Sequence, residues 1–390
     1  MDIAKSANKI VGKVVNTVTS AVSQTSTKRS KEKYPKIEGL TEACRSAAAE
    51  SFVLLKNEGD ILPVTAQNTV SLFGRVQRDT FYVGYGSGGD VNAHHTVSIF
   101  EGIRRNSKIK INEDLAETYR KWCKANPVDN GYWGHWPMCY EEMHVSEALA
   151  KKAAHDSDTA IVFIGRAAGE DRENTLTKGS FYLTEEEENM LWCVRKYFDR
   201  MAVILNVGNI IDFSWVEKYS IPCVGICWQG GMETGNAVAD ILSGDVSPSG
   251  KLTDTIARSY EAYPSAGNFG NKDRNHYEED VFVGYRYFET FDKDAVLFPF
   301  GHGLSYSAFT FDAPLFSHDK NGVEISLRLQ NLGQLPAKET VQIYYSVEDP
   351  SLPMPAVQLA AFYKSDLLQP QESSDLRFLI KKAALACYDD

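Results

Sequence analysis

The sequence contains no apolar run long enough to cross a bilayer. Its 390 residues are 43% hydrophobic, but polar residues interrupt every stretch before the ~20 apolar residues that a spanning helix needs. The segment from Met1 to about Lys33 is rich in Ser, Thr, Lys and Val, and it has neither the apolar core nor the cleavage site of a signal peptide. We therefore expect a cytoplasmic protein without a membrane partner.

A surplus of positive charge is also absent. Lys and Arg number 41 against 52 Asp and Glu, which gives a formal net charge of −11 and a pI near 5.3. Nucleic-acid binding depends on clustered Lys and Arg that displace counterions from phosphates. The charge balance argues against a nucleic-acid partner and against an anionic membrane surface.

The cysteines lack the clustering of a zinc site or a disulfide framework. They are odd in number and widely spread, at Cys44, Cys123, Cys139, Cys193, Cys223, Cys227 and Cys387. Cys223 and Cys227 lie on one face of a predicted strand, too far apart to be bridged. Buried free thiols in a reducing compartment are the better interpretation. We predict no metal and no cofactor.

The chain has enough apolar residues for a large core and for two or three domains. Residues 1–38 are interpreted as a leader that is either a weak amphipathic helix or disordered. From Leu40 a helix is predicted through an Ala-rich stretch to Asn57. The further predicted strands are Thr69–Phe73, Thr159–Ile164, Ala202–Val207 and Pro222–Trp228, and the further predicted helices are Val145–Ala154, Glu185–Phe198 and Thr234–Leu242.

Strands with few polar interruptions, separated by helix-length connections, indicate a parallel sheet covered on both faces. The predicted fold class of residues 39–267 is therefore α/β, with a doubly wound, mostly parallel sheet. Thr184 is predicted to cap the helix whose first turn is Glu185–Glu188. Glu233 is predicted to be a charge at the N-terminus of the helix from Thr234.

The C-terminal part changes to a β-rich pattern. Residues 268–308 have little periodicity and are interpreted as a connecting segment. Period-two alternation in Glu324–Leu329 and Thr340–Tyr345 then predicts an all-β sandwich over residues 309–390. Because the sequence stops soon after the strand near Leu376–Ile380, this sandwich is expected to be incomplete, which favours association, including a homo-oligomer.

The strand Thr159–Ile164 leads into the acidic loop Gly169–Asn174. Such a strand delivers carboxylates to the carboxyl edge of the sheet, where open α/β folds bind their ligands. A catalytic acid is plausible in this loop. The alternative is a solvated salt bridge among Asp171, Arg172 and Glu173, because surface charges are mostly without function.

Four segments identify a family by their order along the chain: Ala48–Asn57, Pro248–Leu252, Tyr277–Phe288 and Phe298–Tyr306. Together they resemble glycoside hydrolase family 3, the β-glucosidase family. The resemblance covers nearly everything from residue 40 onward and implies the α/β sandwich domain of that family, followed by a partial fibronectin type III-like domain.

The resemblance implies retaining hydrolysis by an aspartate nucleophile and a glutamate acid/base. The family's acid/base lies in a loop of the type Gly-Glu-Gly-Tyr-Asp-Arg, and Glu170 is the nearest match. This loop is about two residues shorter than the family pattern, so Glu173 is a second candidate. Arg172 would lower the pKa of a carboxyl group, whereas an acid needs it raised, so Arg172 should pair with Asp171 or Glu173.

Two further loops are candidates for contacts with a sugar. The segment Asn130–Pro137 is crowded with aromatic residues, and Trp133 and Trp136, like Arg172, are predicted substrate-binding residues. Packing against the protein's own core or against another domain is the alternative for these aromatic residues. The glycine-rich loop Tyr85–Asp90 lacks a dinucleotide fingerprint and is either a tight turn or a sugar-facing loop.

The family's nucleophile sits on a (β/α)8 barrel in a Ser-Asp-Trp motif, which this sequence does not contain. A barrel would also need roughly 250 further residues. We therefore expect one part of an enzyme with rearranged domain order, acting on a β-glucoside or oligosaccharide and inactive without a barrel from the rest of the gene product or from a partner chain. The alternative is a noncatalytic carbohydrate-binding or interaction remnant.

Overall fold

The computed structural model describes residues 37–86, 91, 93–131, 135–170, 174–271 and 273–387. The predicted leader, apart from Ile37 and Glu38, and the predicted site residues Trp133, Arg172 and Glu173 lie outside these ranges. The helices are α1 Leu40–Ser51, α2 Ile99–Arg105, α3 Glu113–Ala125, α4 Glu147–Asp156, α5 Glu185–Tyr197, α6 Ser214–Lys218, α7 Thr234–Ser243 and α8 Tyr285–Phe291.

The strands up to residue 298 are β1 Val53–Asn57, β2 Thr69–Phe73, β3 Lys110–Ile111, β4 Thr159–Arg166, β5 Arg200–Val207, β6 Cys223–Ile226, β7 Ile256–Ala257 and β8 Val296–Phe298. Those that follow are β9 Phe309–Phe311, β10 Leu315–His318, β11 Gly322–Asn331, β12 Thr340–Tyr345, β13 Gln358–Lys364 and β14 Ser373–Lys381. The predicted α/β fold followed by all-β structure is confirmed.

Contacts between Cα atoms divide the chain into two compact units. Unit 1 contains the described residues up to Ala49, with Thr65–Ile211 and Cys227–Ala239. Unit 2 contains Glu50–Val64, Asp212–Ile226 and the chain from Asp240 onward.

Unit 1 contains a parallel four-stranded array in the order β5-β4-β2-β3. All eight residues of β4 are buried, as expected for a central strand covered on both faces. The neighbouring registers pair Val70 with Thr159 and Thr159 with Arg200, so these strands run in step toward one carboxyl edge.

The helices of unit 1 begin at residues that satisfy their free N–H groups. Thr184 and Glu187 form a capping box at α5, which confirms the predicted cap. Ser98 and Glu101 do the same at α2, and Asn112 caps α3.

Unit 2 corrects the prediction of one helix from Leu40 to Asn57. The helix ends at Ser51, and Val53–Asn57 is the strand β1, which pairs antiparallel with β6. Val53, Leu54 and Leu55 are buried. A short apolar run fits a helix or a strand equally well, and its pairing with β6 decides for the strand.

The C-terminal part of unit 2 is antiparallel. Strands β10, β11 and β14 pair in that order, β9 also pairs with β11, and β12 pairs with β13. Their apolar core contains Ile325, Leu329, Val341, Leu368, Leu376, Phe378 and Ile380. The helix α8 lies in residues 268–308, which were interpreted as a connecting segment with little periodicity.

One ion-pair cluster joins residues of unit 2 that are far apart in sequence. Glu50, in the last turn of α1, accepts hydrogen bonds from Lys338 Nζ at 2.8 Å and, through its backbone oxygen, from Lys364 Nζ at 2.9 Å. The Lys364 ammonium also lies 3.3 Å from the Glu50 carboxylate. This cluster fixes the end of α1 against the strands β12 and β13.

All seven cysteines are free thiols, and Cys193, Cys223 and Cys227 are buried while Cys387 is exposed. Within the described ranges, none of the helices has the length and apolar character that a bilayer-spanning helix requires.

Candidate active site

The loop after β4 carries the predicted acid at the carboxyl edge of the parallel strands. Glu170 is exposed, four residues beyond the buried end of β4 at Arg166. Its position is set by backbone pairing, because the Tyr85 N–H donates to the Ala168 oxygen at 2.7 Å and the Glu170 N–H donates to the Tyr85 oxygen at 3.1 Å. Backbone hydrogen bonds between two loops therefore fix the position of the Glu170 backbone.

Gly86 allows these loops to approach so closely. It has a φ of +101°, and a Cβ added there would lie 2.8 Å from the Cβ of Glu170. A side chain at residue 86 would therefore displace the acidic loop.

Arg166 fastens the base of the same loop. Its guanidinium donates to both carboxylate oxygens of Glu187 at 2.7 Å, and to the backbone oxygens of Ser180 at 2.9 Å and Tyr182 at 3.1 Å. Burial opposes the charge of Arg166, but the Glu187 carboxylate holds the pKa of the guanidinium above its usual value. The chain leaves β4 after Arg166, and its next contact with Arg166 described above is at Ser180.

Asn206 connects three segments at the carboxyl edge. Its Oδ1 accepts from the Phe81 N–H at 2.8 Å, and its Nδ2 donates to the oxygens of Phe81 at 2.8 Å and Trp228 at 2.5 Å. Asn206 is fully buried in β5. Asn206 was not among the predicted site residues, although a single amide inside the apolar run Ala202–Val207 is a usable signal.

Trp136 contacts Tyr85, and Tyr85 in turn contacts the acidic loop. The two rings are stacked with centroids 5.4 Å apart and planes 9° apart, and Trp136 is only 9% exposed. Tyr140 stacks on Phe81 at 4.5 Å, and its hydroxyl lies 3.3 Å from that of Tyr85. This part of the aromatic segment is packed against the protein itself, on Tyr85, whose backbone pairs with that of Glu170.

The turn after β6 lines the same edge. Gln229 Nε2 donates to the Arg166 oxygen at 3.3 Å, and its Oε1 would lie 3.0 Å from a Cβ at Gly208. The turn therefore packs tightly against the ends of β4 and β5.

Glu233 lies at the N-terminus of α7, as predicted, and its side chain is buried there. It is 2% exposed and precedes α7 in a short 3₁₀ turn. Its Oε1 lies 2.5 Å from His95 Nε2, and its Oε2 accepts from Asn236 at 2.6 Å. Burial is tolerated because both oxygens have hydrogen-bond partners. The pair ties the segment around His95 to the start of α7.

Glu142 is a second unusual carboxyl group in unit 1. Burial raises its pKa to about 8, although the backbone N–H groups of Arg75 and Met143 donate to it at 2.7 Å and lower the pKa.

Among the described residues there is no cluster of three or more His, Cys, Asp or Glu that could hold a metal ion. The arrangement of Glu170 beside Tyr85 and Trp136 suits proton transfer by a carboxyl group next to an aromatic surface.

Comparison with known proteins gives two family matches. Residues 52–306 match the glycosyl hydrolase family 3 C-terminal domain, and residues 339–390 match a fibronectin type III-like domain. A β-glucosidase from Ruminococcus albus is 43% identical over 350 residues, which cover 90% of this chain and 37% of that protein.

Two solved structures are similar over most of the chain. A β-glucosidase from Paenibacillus barengoltzii superposes with a TM-score of 0.89 at 46% identity, over 91% of this chain and 40% of that one. β-Glucosidase 3B from Thermotoga neapolitana in complex with glucose superposes with a TM-score of 0.84 at 32% identity, over 91% of this chain and 50% of that one. The chain thus spans half or less of the length of these relatives.

Proposed function

Because the chain belongs to glycosyl hydrolase family 3, we propose that it forms part of a retaining, β-glucosidase-like enzyme that removes terminal β-linked sugars from oligosaccharides or glycosides. The relatives from Ruminococcus albus and Paenibacillus barengoltzii are β-glucosidases, which supports this substrate class. The observation that carries the proposal is the exposed Glu170 at the carboxyl edge, held by backbone hydrogen bonds to Tyr85.

In the proposed reaction Glu170 acts first as an acid and then as a base. Its carboxyl group protonates the glycosidic oxygen while an aspartate attacks the anomeric carbon and forms a glycosyl-enzyme. The resulting Glu170 carboxylate takes a proton from water as that water attacks the same carbon and releases the sugar and the aspartate. A preformed position for the carboxylate favours both steps.

The proposed nucleophile lies on a (β/α)8 barrel elsewhere in the gene product or in a partner chain, so this chain alone is proposed to be inactive. Trp136, with Tyr85, is proposed to form one wall of the sugar site. Trp133 and Arg172 are proposed as further binding residues, and Glu173 as the alternative acid/base.

The proposal extends to the location and organisation of the protein. Seven free thiols favour a reducing compartment such as the cytoplasm. The division into 39–267, 268–308 and 309–390 and the formation of a homo-oligomer stay predictions.

The first test is hydrolysis of p-nitrophenyl β-glucoside by the purified chain, alone and mixed with a family barrel domain that carries the nucleophile. Activity in the mixture only is the expected result. Activity of the chain alone would contradict the proposed absence of the nucleophile. Inactivity of both samples, with a folded chain, would favour the carbohydrate-binding alternative.

The role of Glu170 is tested in the active mixture. Glu170→Gln should lower turnover by about 100-fold or more, since general acid–base catalysis typically contributes that much. Azide should restore part of the rate because it attacks the glycosyl-enzyme without help from a base. Glu173→Gln is the matched control, and the assignment is wrong if only that variant is slow and rescued by azide.

A further inference from the structure

Glu233 is a buried carboxylate that the proposed reaction does not use. Its two oxygens contact His95 Nε2 at 2.5 Å and Asn236 Nδ2 at 2.6 Å. Because a buried carboxylate is unfavourable without hydrogen-bond partners, these contacts hold the side chain in one orientation. Glu233 therefore fixes the turn that carries it, residues 229–235, which we call the β6–α7 turn.

The β6–α7 turn is attached by backbone hydrogen bonds to two places in the chain before α2. The Gly231 N–H donates to the Tyr82 oxygen at 2.9 Å. The Val97 N–H donates to the Met232 oxygen, also at 2.9 Å. The turn therefore holds the chain on both sides of Tyr85.

Tyr85 links this part of the chain to the candidate acid. Its N–H donates to the Ala168 oxygen, and its oxygen accepts from the Glu170 N–H. Gly84 lies against the same loop, since a Cβ added there would be 2.9 Å from the Ala168 oxygen. The placement of Tyr85 thus sets the placement of the Glu170 backbone.

The residue just before the β6–α7 turn has an unfavourable backbone conformation. Trp228 has a φ of +52°, in the left-handed region that bulky residues rarely adopt. Asn206 Nδ2 holds it there by donating to the Trp228 oxygen at 2.5 Å. Strained residues persist only where the surrounding structure imposes them, and they are concentrated at functional sites. This strain indicates that the turn has a role beyond connecting β6 to α7.

We propose that Glu233 is a positioning residue for general acid–base catalysis by Glu170. Glu233 fixes the β6–α7 turn, the turn holds the chain on both sides of Tyr85, and Tyr85 holds the Glu170 backbone. Glu233 itself neither touches the substrate nor transfers a proton in the reaction. The catalytic part of this inference rests on the proposed function, whereas the link between Glu233 and Glu170 does not.

The link is tested on the full chain alone, by hydrogen exchange measured with NMR. Glu233→Ala should speed exchange of the Tyr85 and Glu170 amides roughly three- to tenfold, the usual effect of losing one hydrogen bond. Exchange in the central strand β4 should change less, because buried core amides open only with the whole unit. Unchanged exchange at Tyr85 and Glu170, or equal acceleration in β4, would overturn the proposal.

The catalytic role is tested in the active mixture with two substrates. A misplaced acid matters most when the leaving group is poor, because a good leaving group departs without a proton. Glu233→Ala should therefore lower kcat/KM about tenfold or more for phenyl β-glucoside, but much less for p-nitrophenyl β-glucoside. A smaller folded fraction would lower both values by the same factor. Equal factors for the two substrates would overturn the proposal.

Three further variants separate positioning from folding. Glu233→Gln keeps groups that can hydrogen-bond to His95 and Asn236, so it should restore most of the rate with phenyl β-glucoside. His95→Ala removes the same contact from a side chain that is 44% exposed, and it should reproduce the dependence on the leaving group where Glu233→Ala folds poorly. Equal slowing of both substrates by His95→Ala would also overturn the proposal.

The third variant, Glu186→Ala, is the matched control. It removes a histidine–glutamate contact at the surface, between Glu186 and His144 at 2.8 Å, and should change neither exchange at Glu170 nor the rates. An inactive wild-type mixture would refute the proposed function, whereas the exchange measurement decides the link between Glu233 and Glu170 without any activity.

Discussion

Arg166 and Glu187 form a bidentate ion pair whose two N–O distances are both 2.7 Å. Arg166 is fully buried and Glu187 is 5% exposed. The carboxylate also accepts the Thr184 N–H at 2.8 Å, so one residue both caps α5 and neutralises the guanidinium at the base of the acidic loop. The placement of the candidate acid and the start of α5 therefore depend on the same pair.

Breaking this pair should destabilise the protein strongly. Glu187→Ala leaves a buried, uncompensated guanidinium, and we expect a loss of about 3–5 kcal/mol in the free energy of unfolding. The double variant Arg166→Met, Glu187→Leu should recover part of that loss, because no charge stays buried. Urea denaturation measures both values. Asp375→Ala, which breaks the exposed pair with Arg328, is the control and should change stability little. A small effect of Glu187→Ala on the free energy of unfolding would contradict the inferred dependence of the acidic loop and the start of α5 on this pair.

Asn206→Asp should destabilise the carboxyl edge while preserving its shape. The carboxylate cannot donate to the oxygens of Phe81 and Trp228, and it places a buried charge beside them. We expect a loss of at least about 2 kcal/mol at neutral pH, measured by chemical denaturation. Asn106→Asp is the control, because Asn106 Oδ1 accepts a hydrogen bond from Lys108 that a carboxylate also accepts. Equal stability of the two variants would refute the role assigned to Asn206.

Glu142 should make stability fall as the pH rises. Its pKa is about 8 in the folded protein against 4.5 as the ordinary value, so the folded state binds the proton more tightly. Between about pH 4.5 and pH 8 the free energy of unfolding should therefore decrease, by at most about 1.4 kcal/mol per pH unit from this group. Urea titrations across this range measure the slope.

The control for this pH dependence is the adjacent residue. Glu142→Gln should flatten the slope, because it removes the ionisable group, whereas Glu141→Gln, at an exposed position, should not. Identical slopes in all three proteins would show that another group causes the dependence.

Trp136→Phe should affect substrate binding more than the chemical step. The smaller ring keeps an apolar side chain against Tyr85 but reduces the aromatic wall proposed for the sugar. In the active mixture we expect KM to rise several-fold and kcat to change less. Trp192→Phe, an exposed tryptophan on α5, is the matched control. An unchanged KM would remove Trp136 from the substrate site.

The sequence predicted elements that depend on local patterns. β2 agrees residue for residue, because Thr69–Phe73 is a short, mostly apolar run between polar turns. The prediction of helix for the residues of β1 was wrong, because the choice between helix and strand depends on β6, about 170 residues further on. The short helix α8 was missed because its seven residues make only about two turns, although Tyr285, Phe288 and Phe291 have helical spacing.

In the candidate site, too, features that depend on local sequence could be predicted, and contacts between distant residues could not. The location of Glu170 at the carboxyl edge could be predicted because the loop that carries it directly follows its strand. The partners of Asn206 lie 125 residues before it and 22 residues after it, and no local pattern connects them. The placement of Glu233 also depends on His95, which is 138 residues away. Hydrogen bonds between distant loops are set by the assembled fold.

The ion-pair cluster at Glu50 has a consequence for synthesis on the ribosome. Lys338 follows Glu50 by 288 residues and Lys364 follows it by 314 residues. At about 5–20 residues per second, translation needs roughly 15–60 s to reach the second lysine. During that interval the end of α1 lacks the contact with Lys364, and all of unit 1, whose last residue is Ala239, is made before either lysine is reached. The nascent chain must therefore keep this end accessible for late docking, and its folding cannot proceed strictly from the N-terminus to the C-terminus.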